Sequence, residues 1–146
     1  MTTLTNDPTS ESCPQHAQNE GTPCILCIDD DPNIHTNVEM RMQAYDVRVE
    51  HAYFGMQGIV EAIDCRPDLI ITDIAMPNGD GSYVVKMIRQ NAETSNVPVI
   101  VLTGMCDPAL KSRVLKDGAN EFLRKPLRFS QLHDHISRFI ELKKRS

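Results

Sequence analysis

The chain carries no excess of positive charge: 15 Lys and Arg stand against 20 Asp and Glu in 146 residues, a formal net charge of -5. It therefore lacks the basic footprint of a nucleic-acid binder. No apolar run approaches the roughly 20 residues of a membrane span, and the N-terminus lacks the basic-then-apolar order of a signal peptide. A cytoplasmic protein without nucleic-acid or membrane partners is the expectation.

A cysteine framework is also missing. The five cysteines, an odd number, fall at 13, 24, 27, 65 and 106 without regular spacing. Cys24-Ile25-Leu26-Cys27 is formally C-x-x-C, the spacing of a redox pair or half of a zinc site. On a strand, however, residues three apart project to opposite faces, so the two sulfurs are badly placed to share a metal or close a disulfide. No second cysteine pair completes a zinc site, which leaves small buried hydrophobes as the expected role.

The first 22 residues lack apolar side chains almost entirely and cannot offset the entropy of ordering a backbone, so residues 1–22 read as a disordered tail. Asp7, Glu11 and Glu20 lie there without a Lys or Arg, which leaves a balance of -2 for the rest. Cys13 and His16 in this tail are an incidental pair rather than a metal site. Residues 23–146 read as one folded domain, and a composition of 40% hydrophobic and 24% charged residues leaves room for a real core.

What is present is an alternation of strand and helix patterns. Residues 24–28 form a continuous apolar run, as in a strand covered on both faces, and lead into Asp29-Asp30-Asp31-Pro32. Asp31 followed by Pro32 reads as an N-cap and first turn, with Ile34, Val38, Met42 and Tyr45 at helical spacing. Residues 47–51 alternate apolar with polar side chains like an edge strand. Met56, Ile59, Val60 and Ile63 make a second helical stripe that stops before Arg66-Pro67.

A third strand over residues 69–73 ends on Asp73 and turns through Met76-Pro77-Asn78-Gly79-Asp80-Gly81. Val84, Met87 and Ile88 mark a third helix, and residues 97–103 a fourth strand with Pro98 near its start. Asp107-Pro108 repeats the cap signal for a fourth helix, thin in apolar residues and expected to be mobile, that ends at Gly118. A short fifth strand over residues 120–124 leads to Lys125-Pro126. The last helix carries Leu132, Ile136, Phe139 and Ile140, with Lys143, Lys144 and Arg145 expected at its negative end.

Five strand–helix repeats predict an α/β fold: a parallel sheet with helices on both faces and right-handed crossovers. In such a sheet a ligand site lies outside the carboxyl ends of the strands. Asp29 and Asp30 follow strand one, Asp73 ends strand three, Thr103 strand four and Lys125 strand five. Three carboxylates brought together repel one another unless a cation intervenes. Lys125 supplies one positive charge, and the oxygen donors suit magnesium, which takes one or two carboxylates with waters and phosphate oxygens. Thr103 adds a hydroxyl able to donate to a phosphoryl oxygen. The set describes phosphoryl transfer to a carboxylate.

The chain resembles the receiver domains of two-component response regulators over residues 24–142. The resemblance rests on Ile25-Leu26-Cys27-Ile28-Asp29-Asp30-Asp31-Pro32, on Asp73 through Gly81, on Val99-Ile100-Val101-Leu102-Thr103-Gly104, and on Gly118 through Pro126. It implies a flavodoxin-like fold with strand order 2-1-3-4-5. It implies further that Asp73 accepts a phosphoryl group from a histidine kinase or histidine phosphotransfer protein. Asp30, Asp73 and the Ala75 carbonyl would bind Mg2+, and Asp29 would hold a metal-bound water. Lys125 would pair with the phosphoryl group, Thr103 would hydrogen-bond it, and Gly104 would leave room and offer its N–H.

The family also implies a switch in which Thr103 moves and an aromatic residue, here Phe122, packs inward; on residues alone Phe122 reads as a core side chain of a strand. A cis Lys125-Pro126 peptide is expected on the same ground. Ala75 and Met105 occupy the positions that tune hydrolysis, and neither can orient water, which predicts slow self-dephosphorylation.

The rival readings are a degenerate receiver that binds partners without phosphorylation, an aspartyl-nucleophile phosphatase and a flavodoxin-like electron carrier. The phosphatase signature Asp-x-Asp-Gly is missing, since Pro32 follows Asp31, and three acids stand where a flavin phosphate would need free N–H groups. No enzyme activity is expected beyond assistance to the chain's own phosphorylation and dephosphorylation. Only residues 143–146 follow the last helix, so output is expected through another protein, and the resemblance implies the face of helix four, strand five and helix five as its docking surface; monomer or weak homodimer is the expected state. His133 and His135 diverge around their helix, and His35 and His51 read as ordinary surface or packing residues.

Overall fold

In the computed structural model, which describes residues 21–76, 79–80, 82–104 and 107–145, the tail before residue 21 and Met105 lie outside the described residues. The elements alternate as the apolar pattern requires: β1 (Cys24–Ile28), α1 (Pro32–Met42), β2 (Arg48–Ala52), α2 (Gly55–Cys65) and β3 (Leu69–Thr72). Two short strands follow, β4 (Ala75–Met76) and β5 (Gly79–Asp80), then α3 (Ser82–Gln90), β6 (Val99–Thr103), α4 (Pro108–Asp117), β7 (Glu121–Arg124) and α5 (Phe129–Ser137).

Five strands pair in parallel in the order β2-β1-β3-β6-β7. This is the flavodoxin-like order 2-1-3-4-5 when β4 and β5, a separate antiparallel pair, are set aside. The period of two along each strand sorts the core into two layers. Leu26, Ile28, Ile70, Val99 and Val101 face α2, α3 and α4 through Ile59, Ala62, Val84, Val85, Ile88, Leu110 and Val114. Ile25, Cys27, Leu69, Ile71, Ile100 and Leu102 face α1 and α5 through Val38, Met42, Leu132 and Ile136. Cys24 and Cys27 are free thiols, fully buried on opposite faces of β1, and burial pushes both up to about 12. They are core hydrophobes.

The cap signals hold. The Asp31 side chain accepts from the Asn33 N–H at 2.9 Å with Pro32 in the first turn, and Asp107 does the same with the Ala109 N–H at 3.0 Å. Gly118 closes α4 at φ 122, where a Cβ would come within 2.7 Å of Arg89 Cγ. Strands two and four begin later than the apolar pattern indicates, because Val47 N–H bonds back to Tyr45 and Val97 N–H to Thr94 in turns, and Pro98 has no donor.

The last helix is also shorter. It ends at Ser137, where Arg138 and Phe139 donate to carbonyls three residues back and the chain leaves to run beside the α1–β2 connection. There Lys143 O accepts from Asp46 N–H and Arg145 donates to the Ala44 and Gln43 carbonyls. Lys143, Lys144 and Arg145 therefore do not sit on a helix terminus; Arg145 instead satisfies carbonyls that α1 leaves open at its end. No helix among the described residues is long and apolar enough to cross a membrane.

Candidate functional site

The sheet ladder continues one residue beyond several strands, and those extra residues carry the charged groups. Asp29 N–H donates to Ala52 O at 3.0 Å, Asp73 N–H to Ile28 O at 2.9 Å and Lys125 N–H to Thr103 O at 2.8 Å. Each side chain thus leaves a peptide that is already paired, which fixes its origin while leaving its tip at the open edge. The first turns beyond the strands hold the carboxylates as well. Asp29 Oδ1 accepts from Asp31 N–H and Asp73 Oδ1 from Ala75 N–H, both at 2.9 Å.

Lys125 reaches back across this edge. Its Nζ lies 2.8 Å from Asp29 Oδ2 and 3.1 Å from Asp73 Oδ2. Asp30 completes an acid cluster: one carboxylate oxygen from each of Asp29, Asp30 and Asp73 lies within 4.8 Å of the others. Asp29 and Asp73 are buried and Asp30 is exposed. One ammonium faces three acids. Burial pushes the Asp29 carboxyl above its usual range, even though the Lys125 hydrogen bond works the other way. At Lys125 burial alone would lower the ammonium, and the hydrogen bond and charge of Asp29, with those of Asp73, override it and hold it above its usual range. The Asp29 side chain is 2% exposed and that of Lys125 21%, so the acid suffers more from lost water than one cation restores. An oxygen-rich, negatively biased pocket of this kind accommodates a hard divalent cation.

A family model for the response regulator receiver domain matches residues 25–137. The chain belongs to this family. As a receiver domain of the two-component response regulators it is a phosphorylation-accepting module. It is 35% identical over 104 residues to the DNA-binding dual master transcriptional regulator RpaA of a Synechocystis strain, covering 71% of this chain and 43% of that protein. It is similar in structure to the Vibrio cholerae chemotaxis protein CheY4, with a TM-score of 0.75 at 28% identity over 82% of this chain and 99% of that one. The receiver domain of the sensor histidine kinase PA1611 from Pseudomonas aeruginosa, solved with a magnesium ion coordinated in its active site cleft, matches at TM-score 0.72 and 28% identity over 81% of this chain and 97% of that one. The chain spans at most about half the length of the curated relatives it matches.

The remaining candidate residues of this receiver domain fall around the same edge. Thr103 ends β6, fully buried, opposite Arg124 of β7. Gly104 follows it at the surface, where an added Cβ would meet no atom within 4 Å. Ala75 is exposed at the start of β4, in a short hairpin that reads in sequence as a turn alone. Phe122 pairs with Val101 and packs, half-buried, on the layer that holds Val114 and Ala119. The Lys125-Pro126 peptide is cis.

His35 corrects the sequence reading. It is not an ordinary surface or packing residue: its side chain is buried, with Nε2 2.7 Å from the Asp29 carbonyl oxygen and Nδ1 2.7 Å from His51 Nδ1. The signal was present, since His35 stands three residues before Val38 and seven before Met42 on the inward face of α1. The carbonyl it meets was not readable, because that contact depends on how α1 crosses the end of β1. His133 and His135 do diverge, His133 beside Asp134 and the Tyr45 ring, His135 on Glu121.

Proposed function

We propose that Asp73 accepts a phosphoryl group from a phosphohistidine of a histidine kinase or phosphotransfer protein, in the cytoplasm. A carboxylate oxygen of Asp73 attacks phosphorus, the P–N bond breaks as the P–O bond forms, and the leaving imidazole keeps the electron pair and takes up a proton. The observation that carries this reading is the double contact of Lys125 Nζ with Asp29 Oδ2 and Asp73 Oδ2, which holds a cation where phosphoryl oxygens would gather. Thr103 would hydrogen-bond one of those oxygens, and Gly104, open to solvent, would offer its N–H.

The donor chemistry fits Mg2+: Asp30, Asp73 and the Ala75 carbonyl would hold it, and Asp29 would orient a water of its shell. When bound it would neutralise charge on the phosphoryl oxygens. Inward movement of Thr103 and Phe122 would then alter the face of α4, β7 and α5, where a downstream protein docks. Enzyme activity toward any other substrate is not part of this reading.

Intact mass after treatment with a small-molecule phosphodonor and Mg2+ tests it. The wild type gains one phosphoryl group and Asp73→Asn gains none; an unmodified wild type, or a modified Asp73→Asn, defeats the reading. In the same experiment the adduct decays slowly, because the methyl group of Ala75 cannot orient water, and Ala75→Asn shortens its lifetime.

A further inference from the structure

The sequence pattern places no pocket group at the carboxyl end of β2, yet the edge strand reaches the acid pocket through two imidazoles. A carbonyl oxygen can only accept, so the 2.7 Å contact between His35 Nε2 and Asp29 O requires a proton on that nitrogen. The other ring nitrogen, Nδ1, meets His51 Nδ1 at 2.7 Å, and one proton lies between them. His51 is the β2 residue paired with Cys27 of β1, so it stands on the α1 side of the sheet. Its Nε2 lies 3.3 Å from Glu39 Oε2 on α1. The Tyr53 ring covers His35 at a centroid distance of 4.3 Å.

This chain of contacts ends on the peptide that aims the acids. The Asp29 carbonyl belongs to the bond between Asp29 and Asp30, and Asp29 Oδ1 closes the same turn by accepting from Asp31 N–H. Rotation of that peptide would move both carboxylates relative to Asp73. An apolar side chain at position 35 would fill the α1 interior equally well, but it would leave this buried carbonyl without a donor.

We propose that His35 is a positioning residue of the acid pocket, its Nε2–H fixing the Asp29–Asp30 peptide and His51 fixing the opposite side of its ring. This inference rests on the metal and phosphoryl reading above. His35 touches neither the phosphoryl group nor the cation; it sets the direction from which Asp29 and Asp30 meet them. Partners of this kind behind a metal ligand change affinity by about 10–100-fold when removed.

The test measures Mg2+ binding by titration calorimetry on the full chain without phosphodonor, beside thermal unfolding of the same samples. His35→Phe binds Mg2+ at least ~10-fold more weakly than wild type. His35→Gln, which keeps an N–H donor, recovers most of that loss. Val38→Ala, on the same helix face, lowers the melting temperature while leaving Mg2+ affinity at the wild-type value. Equal affinity in wild type and His35→Phe overturns the proposal, as does a loss that follows melting temperature across all three variants. A wild type that accepts phosphoryl groups on Asp73 yet is indifferent to His35→Phe rejects the positioning role and spares the acceptor reading. A wild type that neither binds Mg2+ nor is phosphorylated rejects both. If His35→Phe does not fold, nitrogen NMR of wild-type His35 decides: a proton on Nε2 coupled to the Asp29 carbonyl supports the proposal, and a bare Nε2 overturns it.

Discussion

The centre of the sheet and its β7 edge are built to different standards. β1 and β3, which deliver Asp29 and Asp73, are buried at every position, whereas β7, which delivers Lys125, is half-buried along most of its length and exposed at Arg124. Helices repeat the contrast. α2 buries Gly55, Gly58, Ile59, Ala62 and Cys65, while α4 buries Leu110 and Val114 and leaves Leu115 open.

Polar straps make up part of the difference at the edge. Arg89 of α3 donates to the carbonyls of Val97 and Gly118 and to Asn120 Oδ1, tying the α4–β7 turn to the body of the domain. Apolar packing resists any displacement, but a hydrogen bond can be exchanged for another one. Asp73, the proposed acceptor, therefore follows a strand buried at every position, and Lys125 follows one that is half-buried.

This contrast can be broken by substitution. The largest effect belongs to the buried centre: Ile71→Ala on β3, 1% exposed, costs about 2–5 kcal/mol in urea unfolding. A loss below about 1 kcal/mol would show that the centre of the sheet yields as readily as its edge.

Next comes the link between centre and edge. Lys125→Met leaves Asp29 and Asp73 facing each other without a cation and lowers metal-free stability by about 2 kcal/mol, below the loss expected for a fully buried pair because Lys125 is 21% exposed. Since the folded protein holds this ammonium above its usual value, the contribution is complete below the ordinary lysine range and disappears as pH rises through the folded value. Urea unfolding at neutral pH and above the lysine range checks both statements, and Mg2+ restores part of the loss at neutral pH. A variant as stable as wild type without metal would mean that the double contact does not join the edge to the centre.

The smallest effect is expected at the edge itself. Leu115→Ala on α4, 37% exposed, changes stability by less than about 0.5 kcal/mol in the same assay. A loss comparable to that of Ile71→Ala would remove the distinction.

The fold was legible because its signals are local. The apolar runs of β1, β3 and β6, the Asp-Pro caps and Gly118 each act within a few residues. Convergence of Asp29, Asp73, Thr103 and Lys125 followed from the parallel order alone, since every strand then ends on one edge. Three of the misreadings share a different cause. His35 needed a carbonyl supplied by another element, the end of α5 was decided by pairing with residues 44–46, and the β4–β5 pair is too short to show a period. Contacts between elements decide such details, and no spacing within one segment records them.

The C-terminal strap has a practical consequence. Lys144 bridges to Tyr45, just ahead of β2, at the amino edge of a sheet whose acids crowd the carboxyl edge. With strands of five residues between them, the two edges stand about 17 Å apart. A fluorophore or surface tether attached near Arg145 would therefore hang from the floor of the molecule, leaving the rim that carries Asp29, Asp73 and Lys125 uncovered.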